Sequence, residues 1–350
     1  MLPTKKNHAL VEKLAARGKS VRRAPPLYVM TSPATDAATQ KYFEEKRCFG
    51  LSAADLHFFA QGMLPALDKR GKLMLEAPDR VFLSPNGHGG VVAALQQSGA
   101  LGNMQQRGVD RIFYFQVDNP LVDVCDPVFL GYHELEDAEV STKYVSKTDP
   151  REKVGLICAT DRDGRPGVVE YMDVSEALRE AREPDGRLRL RCGNIAVHVF
   201  NRDFLEGFLA AGRELPLHPS FKAIPLVDAE GRATTPSEPN GYKFETFVFD
   251  VLAQARRCAL LEVDRAQEFA PVKNGEGVDS PLTARRAWSR LHASWLAGVG
   301  LNVPRDGAGD PLNPVEIPPL FAVDRETLDG RIRRDGRAAL EACAGFWSKG

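Results

Sequence analysis

No stretch of the 350 residues approaches the roughly 18 uninterrupted apolar positions of a membrane span. The opening segment, MLPTKKNHALVEKL, has lysines but lacks the apolar core of a signal segment, so the sequence is read as neither exported nor anchored. Charge of one sign is also missing: 46 basic against 47 acidic residues leave a formal net charge of -1, with no dense basic block beyond Lys19 to Arg23. That balance argues against a nucleic-acid partner. The six cysteines (48, 125, 158, 192, 258 and 343) form no CxxC pair and have no metal-like spacing with histidine, which suits a reducing cytoplasm. Neither a P-loop nor a GxGxxG fingerprint is present. What the chain does have is 43% hydrophobic residues, enough for a sizeable core, over a length that suggests about two domains.

The most informative stretch is RIFYFQVDNPLVDV, residues 111 to 124. Ile112 to Val117 is apolar on both faces apart from Gln116, which predicts a short strand buried in a parallel sheet. Asp118 then stands at the carboxyl end of that strand. In open α/β sheets ligands bind along that edge, and a carboxylate there can hold a divalent metal; Asp, Asn and Pro in sequence fit a plain turn equally well.

An α/β pattern extends through the rest of the chain. A helix is expected over residues 7 to 18, a strand at 27 to 31, a helix containing Tyr42 and Phe43, strands at 56 to 59 and 81 to 83, and a helix over 91 to 104 weakened by Gly99 and Gly102. Further strands are expected at 140 to 146, 154 to 160, 168 to 171, 192 to 200, 222 to 228 and 260 to 263, with a charged helix at 173 to 182. In PNGYKFETFVFDVL the apolar residues Phe244, Val248, Phe249 and Leu252 fall on helical spacing. Ala284, Ala287, Trp288, Leu291 and Trp295 make a helical stripe, and the Pro-rich stretch 304 to 319 reads as loop with short strands.

Four places carry possible chemistry. Between a strand and a helix, Ser84 to Gly90 (SPNGHGG) allows close backbone approach to a ligand, and His88 within it could contact a base or a phosphate, or simply be solvated. Glu170, in the apolar run VVEY, is either a carboxylate under cover with partners or the wet face of an edge strand. Asn194, following Gly193, offers both a donor and an acceptor to a sugar hydroxyl, or serves a turn. Lys273, in EFAPVKN, can neutralise a phosphate or stay in solvent.

In this order, YVMTS, FFAQGMLPAL, PNGHGG, LGNMQQRG, VDNPLVDVCDPVFLG, VVEY, GNIAVHVF, PNGYKFETFVFD and EFAPVKN resemble the eukaryotic-type UDP-sugar pyrophosphorylases over roughly residues 8 to 325. The N-acetylglucosamine branch is the more similar one. The resemblance implies a Rossmann-like nucleotidyltransferase α/β fold: a mostly parallel sheet with helices on both faces over residues 1 to 262, and a small α+β part over 263 to 350. It implies that Gln61, Gly62, Gly87 and His88 hold the uracil, and that Asp118 lies by the nucleotide phosphates and a Mg²⁺ ion. Gly155, Glu170, Tyr171 and Asn194 would surround the sugar, Phe247 and Phe249 would line its N-acetyl side, and Lys273 would approach phosphate. The implied reaction joins UTP and N-acetylglucosamine 1-phosphate into UDP-N-acetylglucosamine and diphosphate. It proceeds by in-line attack, with positioning and charge stabilisation but no protein nucleophile. The Gly193 to Ile195 run with His198 favours N-acetylglucosamine over glucose.

The sequence departs from the family at its front, where the glycine-rich nucleotide loop LxGGxGTRLG and its Pro-Lys segment do not occur. That loop would supply the backbone cradle for the triphosphate, an arginine and the first strand of the sheet. The expectation for the 350 residues as given is therefore sugar-nucleotide binding with little or no turnover, and low stability.

Overall fold

The computed structural model describes residues 25–227 and 231–336, so the helix expected over 7 to 18 lies outside the described residues. Strand β1 (Leu27–Thr31) pairs in parallel with β2 (Leu56–Ala60) through the intervening helix α1 (Asp36–Glu45). Short strands β3 (Met63–Pro65), β4 (Leu67–Asp68) and β5 (Leu83–Pro85) follow, with β3 antiparallel to β5. The single helix expected over 91 to 104 is two, α2 (Gly90–Gln97) and α3 (Ala100–Gln106), broken at Ser98 and Gly99. Both bury their apolar faces, Val91, Val92, Leu95, Leu101 and Met104, in the largest core cluster.

Six strands make the main sheet: β6 (Arg111–Tyr114), β7 (Val140–Ser146), β8 (Leu156–Ala159), β9 (Pro166–Val169), β10 (Cys192–Asn201) and, later in the chain, β13 (Cys258–Glu262). Helix α4 (Pro127–Leu135) connects β6 to β7, α5 (Glu176–Glu180) precedes β10, and α6 (Arg202–Ala210) follows it. The α/β architecture is as expected, but its pairing is mixed rather than mostly parallel. Strand β10 runs antiparallel to β6, β7 and β8, β8 is antiparallel to β9, and only β13 with β7 is parallel. The reason is that a strand covered on both faces reads as a continuous apolar run whichever way it points. Along one edge, the ten-residue β10 serves β8 at Gly193 and β6 at His198 to Asn201.

Strands β11 (His218–Lys222) and β12 (Gly241–Glu245) form a separate antiparallel sheet with β4. This pairing corrects the helix expected across PNGYKFETFVFDVL. Its first half is drawn into strand by the β11 partner, and only Val248–Gln254 is helical, as a 3-10 turn burying Val248, Phe249, Val251 and Leu252. Strand β6 also ends earlier than expected: Tyr114 is its last residue, Val117 is 89% exposed, and Asp118 sits in the loop beyond.

The sheet is sandwiched between two apolar layers. Phe200, Leu205, Phe208 and the 248 to 252 turn fill one side, while Phe129 of α4 meets Val145, Ile195, Val197 and Val199 on the other. After the short α7 (Arg265–Glu268), helix α8 (Pro281–Gly298) starts with a Ser280–Thr283 capping box and packs on α9 (Arg325–Asp335) in a third cluster with Val315, Ile317 and Leu328. Its Ser289 Oγ and His292 Nδ1 accept the N–H groups of Val315 (2.7 Å) and Ile317 (2.8 Å), which fixes the Pro-rich stretch without strands. Only an isolated bridge, Arg305 to Pro311, gives that region extended pairing among the described residues.

Strands β1 and β6 do not pair with each other. Between them runs a largely apolar cleft of about 780 Å³, lined by consecutive residues of both strands and reaching His88 at one point and Asp118 at another. Among the described residues, no helix is long and apolar enough to cross a membrane.

Candidate nucleotide-sugar site

The glycine loop is built by backbone packing. Asn86 N–H donates to Gly62 O (3.0 Å), Thr246 N–H to Asn86 O (2.8 Å) and Gly89 N–H to Thr246 O (2.8 Å), so residues 61 to 62, 86 to 89 and 246 become one surface. Gly87 sits at φ +82°, and a Cβ there would lie 2.5 Å from Thr246 O, so only glycine fits. Buried in this surface, the amide oxygens of Gln61 and Asn86 have no hydrogen-bond partner. Asn86 Oδ1 lies against Gly90, where a Cβ would stand 2.0 Å from it, so the side chain is packed into the turn that opens α2.

His88 completes this end. Its Nδ1 accepts the Val248 N–H (3.2 Å), and burial pushes its pKa down to about 4, so at neutral pH the ring is uncharged with its proton on Nε2. The ring stacks on Phe247 at 5.2 Å, and Phe247 lies 5.0 Å from Phe249. Of these two aromatics, Phe249 is buried core and Phe247 is partly accessible.

A second group gathers where β8, β9 and β10 meet. Glu170 lies just past the end of β9, not within a strand, and opens the 3-10 turn that carries Tyr171. A Cβ on Gly155 would stand 3.3 Å from Glu170 Oε1 and 2.8 Å from Val168, so the glycine leaves room for the carboxylate. Asn194 N–H donates to Gly155 O (2.8 Å), which joins the two strands here. The register of β10 against β7 shifts between Asn194 and Val197, and Ala196 takes φ +53°. Such a bulge re-aims a side chain beside a site. Asn194 Oδ1 accepts from Ala196 N–H (3.0 Å), and its Nδ2 makes no hydrogen bond among the described residues. Burial raises the pKa of Glu170, partly offset by His218 and Lys273.

The third group is at the loop after β6. Burial raises the pKa of Asp118 and the Lys273 ammonium pulls it back. Asn119, itself buried, brings these two residues to one place. Its Nδ2 donates to Glu268 O (2.7 Å), its Oδ1 accepts from Ala270 N–H (3.1 Å), and Val272 N–H donates to Asp118 O (2.9 Å). No cluster of three His, Cys, Asp or Glu side chains suited to a metal is found among the described residues. A single half-buried carboxylate nevertheless fits Mg²⁺, which commonly takes one or two protein carboxylates and completes its shell with phosphate and water.

The structure thus gathers the candidates into three groups, one around Gly87 and His88, one around Gly155 and Glu170, and one around Asp118 and Lys273, with Lys273 also among the charges that act on Glu170. Sequence reasoning passed over Asn86, Thr246 and the pair His218–Asp250, in which Nε2 and Oδ2 are 2.8 Å apart. Nothing in their spacing announces them, since His218 and Asp250 are 32 residues apart in sequence and meet only in the folded chain.

Among solved structures, the chain is similar to a putative UDP-N-acetylglucosamine pyrophosphorylase from Entamoeba histolytica, with TM-score 0.82 and 32% identity over 94% of this chain and 81% of that one. It is also similar to the uridine diphosphate N-acetylglucosamine pyrophosphorylase of Trypanosoma brucei, solved with an inhibitor, with TM-score 0.80 and 29% identity over 97% and 70% of the two chains. These likenesses define a nucleotidyltransferase fold. A family model described as UTP–glucose-1-phosphate uridylyltransferase matches residues 9–284, and the chain belongs to that family. Curated relatives include the human UDP-N-acetylhexosamine pyrophosphorylase-like protein 1, 40% identical over 91% of this chain and 66% of that protein. The UDP-N-acetylglucosamine pyrophosphorylase of Saccharomyces cerevisiae is 41% identical over 81% and 60%. The chain therefore spans less than two thirds of the length of these relatives.

Proposed function

We propose that this site belongs to a uridylyltransferase that joins UTP and N-acetylglucosamine 1-phosphate to give UDP-N-acetylglucosamine and diphosphate. The observation that carries the reading is the single surface that backbone hydrogen bonds make of residues 61 to 62, 86 to 89 and 246, with an uncharged His88 in it. Uracil offers one N–H donor flanked by two carbonyl acceptors, so an amide oxygen for the donor and an imidazole N–H for a carbonyl match its edge. Gly62 and Gly87 leave room for Asn86 and Thr246 to pack against them, which draws the loops into one surface for the base. Glu170, Tyr171, Asn194 and the backbone at Gly155 then take the sugar, with Phe247 on the acetamido side and the buried Phe249 behind it.

At the phosphate end, Asp118 would hold a Mg²⁺ ion, which when bound supplies neutralisation of phosphate charge. Lys273 would steady the same oxygens as the sugar-phosphate oxygen attacks the α-phosphorus in line. This chemistry needs alignment and preorganised charge more than a protein nucleophile.

A second reading, a sugar-nucleotide binder with little turnover, is favoured by one observation: burial raises the pKa of Asp118, and the leading charge that offsets it is a single lysine, Lys273. Two measurements on the purified 350-residue chain separate the readings. Diphosphate release from UTP, Mg²⁺ and N-acetylglucosamine 1-phosphate at about 1 to 1,000 per second supports the enzyme. Product binding by calorimetry without such release supports the binder, and neither activity nor binding refutes both. Competition between UDP-glucose and UDP-N-acetylglucosamine tests the sugar, and tighter UDP-glucose would reassign it.

A further inference from the structure

We infer that His218, oriented by Asp250, contacts the sugar of a bound nucleotide sugar and discriminates among sugars; this rests on the reading of the site as a UDP-sugar site. His218 opens β11 and is aimed across the strand's end at the 248 to 254 turn. Its Nε2 lies 2.8 Å from Asp250 Oδ2, and its ring stacks on Phe247 at 4.4 Å with 30° between planes. Asp250 is itself fixed. Its N–H donates to Phe247 O (3.1 Å), and its neighbours Val248, Phe249, Val251 and Leu252 are buried. A ring held on one face by Phe247 and at one nitrogen by a fixed carboxylate has a single orientation.

That orientation commits Nε2–H to Asp250 and leaves Nδ1 as the free polar atom, on a side chain 34% exposed. His218 also stands where the two halves of the site join. Through Phe247 it continues the stack that includes His88, and Glu170 lies within electrostatic reach of it. A ligand hydroxyl between His218 and Glu170 can donate to the carboxylate and exchange a second hydrogen bond with Nδ1. Neither the uracil contacts nor the phosphate contacts provide this. The ligand class is a pyranose carrying vicinal hydroxyls, attached to the nucleoside diphosphate whose base lies against His88. His218 is thus a specificity-determining residue for the sugar, and Asp250 positions it.

Calorimetry on the full chain with UDP and with UDP-N-acetylglucosamine tests this, using His218→Phe, His218→Gln and Asp250→Asn. His218→Phe keeps a ring for Phe247 to stack on but removes both nitrogens. It should weaken UDP-N-acetylglucosamine about tenfold, the size of one lost hydrogen bond, while UDP binding stays within about twofold of wild type. Asp250→Asn should give a smaller loss of the same kind, and His218→Gln, which can still hydrogen-bond, should recover part of the affinity. Equal weakening of both ligands, or undiminished UDP-N-acetylglucosamine binding by His218→Phe, would overturn the inference. A wild-type chain that binds neither ligand overturns the UDP-sugar reading beneath it, an outcome distinct from a variant that keeps UDP.

Discussion

Replacing Lys143 by Met tests how the segment that leads to Lys273 is held. Lys143 lies in the middle of β7 with its side chain fully buried, and its Nζ meets Asp126 Oδ2 at 2.7 Å and Glu268 Oε2 at 2.5 Å. The ammonium also sits 5.4 Å from the Phe129 ring. Asp126 caps α4 through the Val128 N–H (2.8 Å), and Glu268 ends α7, five residues before Lys273. One cation thus anchors two carboxylates on two elements. Methionine fills the space but leaves both acids buried without their counter-charge, and breaking a buried pair in this way costs about 3 to 5 kcal/mol. Burial already raises the pKa of Glu268, and Lys143 is the largest influence lowering it. Without the lysine that pKa rises further. A carboxyl whose folded pKa is raised stabilises the fold while it is protonated and loses that contribution as pH climbs through the folded value. The deficit should therefore be larger at pH 8 than at pH 5, and adding Glu268→Gln to Lys143→Met should recover part of it. Urea unfolding of the three proteins at both pH values measures this. A loss under about 1 kcal/mol at pH 8, or one unchanged at pH 5, would refute the account, since it would mean the acids are not desolvated as their burial implies.

Two other outcomes follow from the uracil side. His88, with a folded pKa of about 4 against an ordinary 6.5, binds its proton less readily when folded, so it costs stability as pH falls from 6.5 towards 4; His88→Gln should reduce that acid loss by about 3 kcal/mol in pH-dependent urea unfolding, and an unchanged pH profile would contradict it. Gly87→Ala forces a side chain into left-handed backbone against Thr246 O, so it should cost at least about 2 kcal/mol in thermal or urea unfolding and reduce UDP affinity; a variant as stable as wild type would show the loop is looser than its hydrogen bonds indicate.

Much of the fold was legible because its signals are local. The apolar runs at 27 to 31, 140 to 146 and 192 to 200 are strands where expected, and the weak point at Gly99 is where the helix breaks. Strand direction was not legible, because burial on both faces erases the alternation that would reveal an antiparallel neighbour, as in β10. The helix read into PNGYKFETFVFDVL failed for a related reason: Tyr242 to Glu245 are held extended by β11, a partner about 20 residues away whose presence overrides local periodicity. At the site, Glu170 and Asn194 stood out because a carboxylate and an amide in apolar runs need a reason to be there. His218 and Asp250 did not, because each looks ordinary in its own segment and the pair exists only after the chain folds.

The structure also shows why the two ends of the site can behave differently. The uracil surface is assembled from residues 61 to 62, 86 to 89 and 246 to 248 by backbone hydrogen bonds, so its shape follows from the fold itself. The phosphate end relies instead on side chains: Asn119 ties the 118 loop to residues 268 to 270, and Lys143 holds Glu268 just ahead of Lys273. Backbone contacts tolerate substitution at the surface, whereas a loop placed by two buried polar side chains depends on each of them. On the proposed reading, uridine recognition would therefore withstand substitution better than catalysis, because catalysis requires charge to be aimed at phosphate in the transition state and would depend on the less redundant half.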